Sequence, residues 1–203
     1  MGLFGNKFGI KKGDAHSFWD WFSREAPVIA RELPSNLSQK TIQDLGKALD
    51  SCEKGIAWEI GQNKEGVNEL IISADGIREN IPRVQRLVQA APQIPGWRIV
   101  AFRQRTSGMS LQFGPHNLDD MTVLFRPDDG LPVHATYYVP GMEAGRDRVM
   151  GAVFLLLDCT IGEWDVMTCI GEVRLDHPAA APPDAVPLSE LPALIDSRKA
   201  NRT

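Results

Sequence analysis

Two stretches of the chain, residues 56–103 and 121–175, show the same order of hydrophobic patterns, and this order most constrains the fold. In each stretch, two short strand-like segments precede a segment with helical spacing and one further strand-like segment. Helical patterns over residues 14–33 and 36–52 come before the first stretch. The sequence therefore predicts an α+β fold with a mostly antiparallel sheet, N-terminal helices and two strand–strand–helix–strand units. The residues of the two stretches do not match, so any pseudo-repeat is one of architecture.

The chain has 203 residues, which is enough for one domain with a sizeable core. We predict a flexible N-terminus over residues 1–13, a single α+β domain over residues 14–177, and a Pro/Ala linker with a docking segment over residues 178–203. Apolar residues recur near the end of this tail at roughly helical spacing, at Leu188, Leu191, Leu194 and Ile195. The tail is expected to dock on the same chain or on a second copy, so a homodimer is one of the open alternatives.

Charge and composition exclude several functional classes. The 22 basic and 26 acidic residues give a net charge of −4, which argues against a nucleic-acid partner because such binding needs a basic excess. No apolar run reaches about 18 residues, and the first residues lack the apolar segment of a secretory signal, so no membrane association is expected. The three cysteines are widely spaced and odd in number, which favours reduced thiols and a cytoplasmic location.

A run of aromatic residues, FWDWF, begins at Phe18. On an α-helix, Phe18, Trp19, Trp21 and Phe22 fall within an arc of about 160°, with Asp20 opposite. A wide apolar face of this kind is typical of a helix that packs on a sheet, since soluble monomers rarely expose such a patch. We therefore predict that Phe18, Trp21 and Phe22 are buried against the sheet. A surface for a partner or ligand is the alternative.

Three segments carry a resemblance to a known family: FWDWFSREAP, then ELIISADGIRENIPRVQRLVQAAPQIPGWRIVAFRQR, then FLLLDCTIGEWDV together with CIGEVRL. They resemble an uncharacterised bacterial domain family of unknown function, in the aromatic N-terminal helix, the ISA-G turn, the helix-to-strand segment and the LLD…GE helix end. The resemblance covers about residues 18–175. It implies a single domain and supplies no catalytic residue, because the family carries no established activity.

The segment DCTIGEWD gathers carboxylates at the predicted end of a helix that Gly162 terminates. Asp158, Glu163 and Asp165 are candidate catalytic residues, since paired carboxylates perform acid–base chemistry or bind a metal. The C-terminus of a helix is, however, the negative end of its dipole and a poor place for anions without a cation. The alternative is that these acids are solvated or paired with arginines.

Arginines that follow predicted strand ends offer a candidate binding surface. Arg103 and Arg105 share one face of an extended segment, and Arg126 stands in a similar context. With Trp164 they form a candidate surface for an acidic or anionic partner. The alternative is that the arginines pair with nearby acids at a solvated sheet edge.

Other recognisable chemistry is absent from the sequence. The four histidines are scattered, with no spacing typical of metal ligands, and no glycine-rich phosphate loop or nucleophile motif occurs. We therefore expect no bound metal and no cofactor. The interpretation that remains is a cytoplasmic module that works by binding protein, of a regulatory, adaptor or immunity type. The alternative is a hydrolase that uses the carboxylates Asp158, Glu163 and Asp165.

Overall fold

The computed structural model of this chain describes residues 15–63, 65–106 and 108–201. The predicted flexible segment, residues 1–13, lies outside these ranges. Within the described ranges, no helix combines the length and the apolar character that crossing a bilayer requires.

The chain divides into two compact units, Met1–Ala101 and Phe102–Thr203. The predicted domain over residues 14–177 includes parts of both units, and its folding as one domain stays a prediction. The two units are described in turn.

Two helices open the first unit: α1 is Ala15–Glu32 and α2 is Gln39–Cys52. The sequence suggests a break or kink at Pro27, yet α1 continues through this residue. Proline removes one backbone hydrogen bond from a helix, but Ala26 and Ile29 are buried next to it, so side-chain packing holds the helix across that position. Helix α2 begins after Ser38, whose Oγ accepts the Thr41 N–H at 3.2 Å and so caps the helix.

A three-stranded sheet follows in the first unit. Strands β1 (Ala57–Gln62) and β2 (Asn68–Ser73) form an antiparallel pair. Helix α3 (Ile81–Gln89) then crosses over to β3 (Trp97–Ala101), which pairs with β2 in parallel. The strand order is β1-β2-β3.

The aromatic run on α1 belongs mainly to the core of the first unit. Phe18, Trp19 and Phe22 are buried. Trp21 is half-buried, so its predicted burial is wrong, and Trp19 takes its place. All four aromatics lie on the predicted arc, but that arc is wider than the surface that the sheet and α3 can cover.

Two long-range contacts hold this aromatic run in place. The Trp19 indole Nε1–H donates to the Leu87 carbonyl oxygen at 2.8 Å, which satisfies a carbonyl near the end of α3. The ring of Phe22 meets the ring of Trp97 on β3 edge-on, with centroids 5.0 Å apart. Helix α1 is therefore fixed to both α3 and β3.

The second unit contains six strands and three helices among its described residues. A hairpin comes first, formed by β4 (Ser110–Phe113) and β5 (His116–Asp119). A four-stranded sheet has the order β8-β7-β6-β9, and its strands are β6 (Leu124–Pro127), β7 (Val133–Tyr138), β8 (Ile170–Asp176) and β9 (Val186–Pro187). The helices are α4 (Arg146–Ile161), α5 (Glu163–Cys169) and α6 (Leu191–Ala200).

Both units contain the predicted strand–strand–helix–strand arrangement. In the first unit the antiparallel pair β1–β2 precedes α3 and the parallel strand β3. In the second, the antiparallel pair β6–β7 precedes α4, α5 and the parallel strand β8. Four of the six strand pairings in the described residues are antiparallel. The predicted α+β class with a mostly antiparallel sheet is thereby confirmed.

The C-terminal segment completes the second unit. Val186 on β9 pairs with Phe125 on β6, so residues 178–185 connect β8 with β9 within one unit. Leu188, Leu191 and Ile195 are fully buried in the same core as Phe125. The apolar stripe of the tail thus docks on its own chain.

The hairpin β4–β5 has no counterpart among the predicted elements. The first strand of the second stretch, which the sequence pattern starts at residue 121, begins later in the structure. Asp119 explains the shift, because its Oδ1 accepts the N–H groups of Met121 and Thr122 at 3.0 and 2.7 Å. The N–H groups of Met121 and Thr122 therefore donate to the Asp119 side chain and not to a neighbouring strand. Strand β6 starts only at Leu124 for this reason.

Candidate functional site

The loop that opens the second unit begins with a strained residue. Phe102 has φ of +66°, in the left-handed region that non-glycine residues rarely adopt. Its buried side chain packs against the Trp164 ring, with centroids 5.4 Å apart. Strain of this kind persists only where surrounding contacts over-determine the backbone, and it is most frequent at functional sites.

Helices α4 and α5 meet at Gly162, opposite this loop. Gly162 has φ of +84° and ends α4, as its sequence position predicts. Helix α5 begins immediately after it, so Glu163 and Asp165 lie in the first turn of a new helix. The dipole of α5 therefore favours these two carboxylates, which the sequence had placed only at the unfavourable end of α4.

Backbone and side-chain hydrogen bonds join the loop to this helix junction. The Arg103 N–H donates to Glu163 Oε2 at 3.0 Å, and the Glu163 N–H donates to the Arg103 carbonyl oxygen, also at 3.0 Å. The Thr106 N–H donates to the Cys159 carbonyl oxygen at 2.6 Å. Glu163 is fully buried, so its carboxylate forms part of the framework that positions the loop.

The Arg103 side chain also offsets the negative charge of Asp158, a buried residue near the end of α4. Its Nη1 donates to Asp158 Oδ2 at 3.2 Å, and both side chains are largely shielded from solvent. A cation at the C-terminus of a helix interacts favourably with the helix dipole and with an adjacent carboxylate. Asp158 is therefore an ion-pair partner of Arg103.

Arg105 connects three elements of the second unit. Its Nε–H donates to the Ile161 carbonyl oxygen at 2.8 Å, which caps α4. Its Nη2 donates to Asp165 Oδ2 at 2.7 Å, and the two Nη atoms donate to the two oxygens of Asp196 on α6, both at 2.8 Å. The hydrogen bonds to Asp196 have the largest effect on Arg105 and raise its pKa, and those to Asp165 raise it further. In turn, the hydrogen bonds from the Arg105 guanidinium lower the pKa of Asp196.

Lys199 contributes a second cation from α6. Its Nζ donates to Asp165 Oδ1 at 2.8 Å, and this hydrogen bond raises the pKa of the lysine. Both oxygens of Asp165 thus face cations, because Arg105 occupies the other. Burial of Asp165 is offset by these two ion pairs.

An open cleft of about 500 Å³ lies among these residues. We call it the Trp164 cleft; its lining consists of Arg103, Gln104, Arg105, Ile161, Gly162, Trp164, Asp165, Asp196 and Lys199. The Trp164 side chain is 41% exposed at its surface. The charged side chains around the indole are therefore paired, while the indole itself is half open to solvent.

The structure brings together six of the seven candidate residues predicted from the sequence. Arg103, Arg105 and Trp164 line the cleft with Asp165, and Asp158 and Glu163 lie beneath it. Arg126 does not line the cleft: it lies on β6 and pairs with Asp184 at 2.9 Å, which raises the pKa of the arginine.

Sequence reasoning missed two charged residues of the site, Asp196 and Lys199. Both come from α6, more than thirty residues after Asp165. Their spacing of three places them on one face of a helix, which is the only local signal that they act together. The sequence predicts this part of the chain only as a short docking segment.

Neither a search for metal-binding clusters nor comparison with known proteins assigns a function to this site. Within the described residues, no cluster of three or more His, Cys, Asp or Glu side chains is arranged to hold a metal ion. No protein family, curated protein or solved structure matches this chain. The resemblance to an uncharacterised bacterial family stays a prediction.

Proposed function

We propose that this chain acts by binding another protein, as a small regulatory, adaptor or immunity-type module, and that the Trp164 cleft is its contact surface. One observation carries the proposal: Trp164 is 41% exposed while the charged groups around it are paired. Tryptophan and arginine are the residue types that most often dominate binding energy at protein interfaces. An indole held on a fixed framework loses little side-chain entropy when a partner covers it.

The charges around the cleft favour protein over nucleic acid. Arg105 and Lys199 both donate to carboxylates, so Asp165 and Asp196 already offset much of the positive charge that would attract a phosphate. Nucleic-acid binding depends on many such phosphate contacts. A protein surface with mixed charges can complement the cleft without breaking its ion pairs.

We place this module in the cytoplasm. Cys52, Cys159 and Cys169 are buried free thiols. Free thiols of this kind are typical of compartments where glutathione and thioredoxin keep cysteine reduced.

The hydrolase alternative has less support from the same geometry. A general acid or base needs a carboxylate oxygen within hydrogen-bond reach of the substrate. Both oxygens of Asp165 accept from cations, Glu163 accepts a backbone N–H of the loop, and Asp158 accepts from Arg103. These contacts support a structural role for the three acids, so we propose binding ahead of hydrolysis.

Affinity capture with matched variants tests the proposal. The full chain, Trp164→Ala and Met121→Ala are immobilised at equal density and exposed to the same cell extract. Met121 is the control because it is 63% exposed and does not line the cleft. We expect a protein that is recovered by the wild type and by Met121→Ala, and that Trp164→Ala fails to retain.

Two results would overturn this proposal. Equal recovery of the same proteins by all three chains would mean that Trp164 takes no part in binding. Hydrolysis of an ester or phosphoester substrate by the purified chain, abolished in Asp165→Asn, would transfer the assignment to the hydrolase. Thermal melting of each variant checks that the fold is retained.

A further inference from the structure

Phe102 has a backbone conformation that its residue type does not favour. Within the described ranges, three residues other than glycine have positive φ: Asn36, Asp75 and Phe102. Asparagine and aspartate visit the left-handed region because their short polar side chains form hydrogen bonds with the local backbone, whereas a phenylalanine ring cannot. Of the three residues, Phe102 is therefore the one whose type does not account for its conformation.

Hydrogen bonds at Phe102 and at the next residue hold the backbone in this conformation. The Phe102 carbonyl oxygen accepts a hydrogen bond from the Gln104 side-chain Nε2 at 3.0 Å. The backbone of Arg103 is held by its two hydrogen bonds with Glu163. Glycine or asparagine would adopt the same dihedral angles with less strain, so the backbone alone does not require phenylalanine at this position. The ring must supply the reason.

The Phe102 ring is the aromatic neighbour of the Trp164 indole. The two ring centroids lie 5.4 Å apart with an interplanar angle of 51°, which is within the range of favourable aromatic pairs. Phe102 is only 5% exposed, whereas Trp164 is 41% exposed. The packed ring therefore restricts the orientations that are open to the indole in the cleft.

We propose that Phe102 is a positioning residue: its left-handed backbone places the ring against Trp164 and so holds the indole in one orientation before a partner binds. This inference rests on the proposed function of the Trp164 cleft. A side chain that is already ordered loses less rotational entropy when a partner covers it, so a fixed indole binds more tightly than a mobile one. The strain at Phe102 thus serves binding, at some cost to the stability of the fold.

NMR spectroscopy of the indole N–H groups tests this positioning without a partner. The chain has five tryptophans, and the signal that is lost in Trp164→Phe assigns the Trp164 indole. The heteronuclear NOE reports motion of each indole on the picosecond to nanosecond timescale. We expect the wild-type value for Trp164 to be close to that of Trp19, whose indole donates to the Leu87 carbonyl oxygen.

Two substitutions remove the Phe102 ring in different ways. Phe102→Leu keeps a buried apolar side chain of similar size, and Phe102→Asn introduces a residue type that tolerates the left-handed backbone. We expect both variants to lower the heteronuclear NOE of Trp164 and to leave that of Trp19 unchanged. Phe102→Tyr, which keeps the ring, should retain the wild-type value.

Phe125→Leu is the matched control for a general loss of packing. Phe125 is a buried phenylalanine of the same unit, but its ring contacts Tyr137, with centroids 6.0 Å apart. We expect this variant to melt at a lower temperature and to leave the Trp164 indole as ordered as in the wild type. The proposal would be overturned by an indole that is mobile in the wild type, that stays fixed in Phe102→Leu, or that Phe125→Leu loosens equally.

Affinity for the protein captured through the Trp164 cleft provides the second measurement. We expect Phe102→Leu to raise the dissociation constant by about tenfold, since ordering one side chain accounts for a change of this size, and Phe125→Leu to leave it unchanged. An equal dissociation constant for Phe102→Leu and the wild type would overturn the proposal. An indole that Phe102 fixes in a chain that captures no protein would support the positioning by Phe102 and contradict the proposed function.

Discussion

Arg103 and Glu163, sixty residues apart in sequence, are joined by two hydrogen bonds. The backbone N–H of each donates to an oxygen of the other, at 3.0 Å in both cases. One of these oxygens belongs to the fully buried Glu163 carboxylate and the other to the Arg103 carbonyl. This pair closes the loop onto the α4–α5 junction and so determines where Trp164, the next residue, stands.

The first prediction concerns the Glu163 carboxylate. Glu163→Ala removes the acceptor of the Arg103 N–H and leaves a partly buried donor without that partner, so we expect a loss of about 1–3 kcal/mol in the free energy of unfolding. Glu163→Gln is the matched control, because its amide oxygen can still accept the bond, and it should cost less. Urea unfolding measures both. Alanine and glutamine variants of equal stability would contradict a role for this hydrogen bond.

The second prediction is a pH dependence that arises from Asp196. Arg105 lowers the pKa of Asp196, so the folded state favours the ionised carboxylate. The resulting stability is present above the ordinary aspartate pKa of about 3.9 and is lost as the pH falls through the lowered value. Because Asp196 is largely exposed, Asp196→Asn should cost under about 1 kcal/mol at neutral pH and nothing in strong acid.

Thermal melting of the wild type and Asp196→Asn at several pH values checks this expectation. Asp50→Asn is the control, since Asp50 is exposed on α2 and forms no ion pair among the described residues. A difference between wild type and Asp196→Asn that persists unchanged in strong acid would rule out the ion pair as its source.

The third prediction concerns a hydroxyl in the core of the second unit. The Tyr137 side chain is fully buried and its hydroxyl has no hydrogen-bond partner among the described residues. Burial raises the pKa of this phenol. Tyr137→Phe keeps the ring and removes the polar atom, so we expect stability to be unchanged or to rise by about 1 kcal/mol.

Tyr137→Ala provides the contrast for this measurement, because loss of the whole ring should cost about 3–5 kcal/mol. Guanidinium unfolding compares the two variants with the wild type. If Tyr137→Phe lost more than about 1 kcal/mol, the hydroxyl would have to make a stabilising contact in solution.

The fourth prediction separates the aromatic residues of α1. Phe22 is fully buried against Trp97, whereas Trp21 is half-buried. We expect Phe22→Ala to cost about 3–5 kcal/mol and Trp21→Ala clearly less, although tryptophan is the larger side chain. Denaturant unfolding of the two variants provides the measurement. Equal losses would place Trp21 in the core after all.

The fifth prediction concerns Gly171 on β8. A Cβ at this position would lie 2.8 Å from the ring of His134 on the neighbouring strand. The ring is held there because its Nδ1 accepts the Glu172 N–H at 3.1 Å. Gly171→Ala should therefore cost about 1–3 kcal/mol through steric overlap.

A double-mutant cycle tests this overlap. Once His134→Ala has removed the ring, Gly171→Ala should cost little, so the two substitutions should not be additive. Additive losses in urea unfolding would show that the cost of Gly171→Ala does not come from the His134 ring.

Local sequence patterns determined the main elements of both units. Alternating apolar residues predicted strands β2, β3, β7 and β8, and helical spacing predicted α2, α3 and α4, because each pattern reflects one buried face of a single element. Gly162 correctly marked the end of α4, since glycine tolerates the positive φ found there. The sequence also predicts Arg103, Arg105 and Trp164 as candidate binding residues, and all three line the cleft.

Tertiary structure alone decided which residues meet. A helix of seven residues such as α5 has little stability by itself, so no local signal predicts it, and only its packing and the Glu163–Arg103 bonds hold it. Ion pairs such as Arg105–Asp196 join residues 91 positions apart, and their formation depends on how α6 docks. Which one of the four aromatics on α1 stays half-buried likewise depends on the area that α3 and β3 cover. That area is a property of the packed unit rather than of the helix.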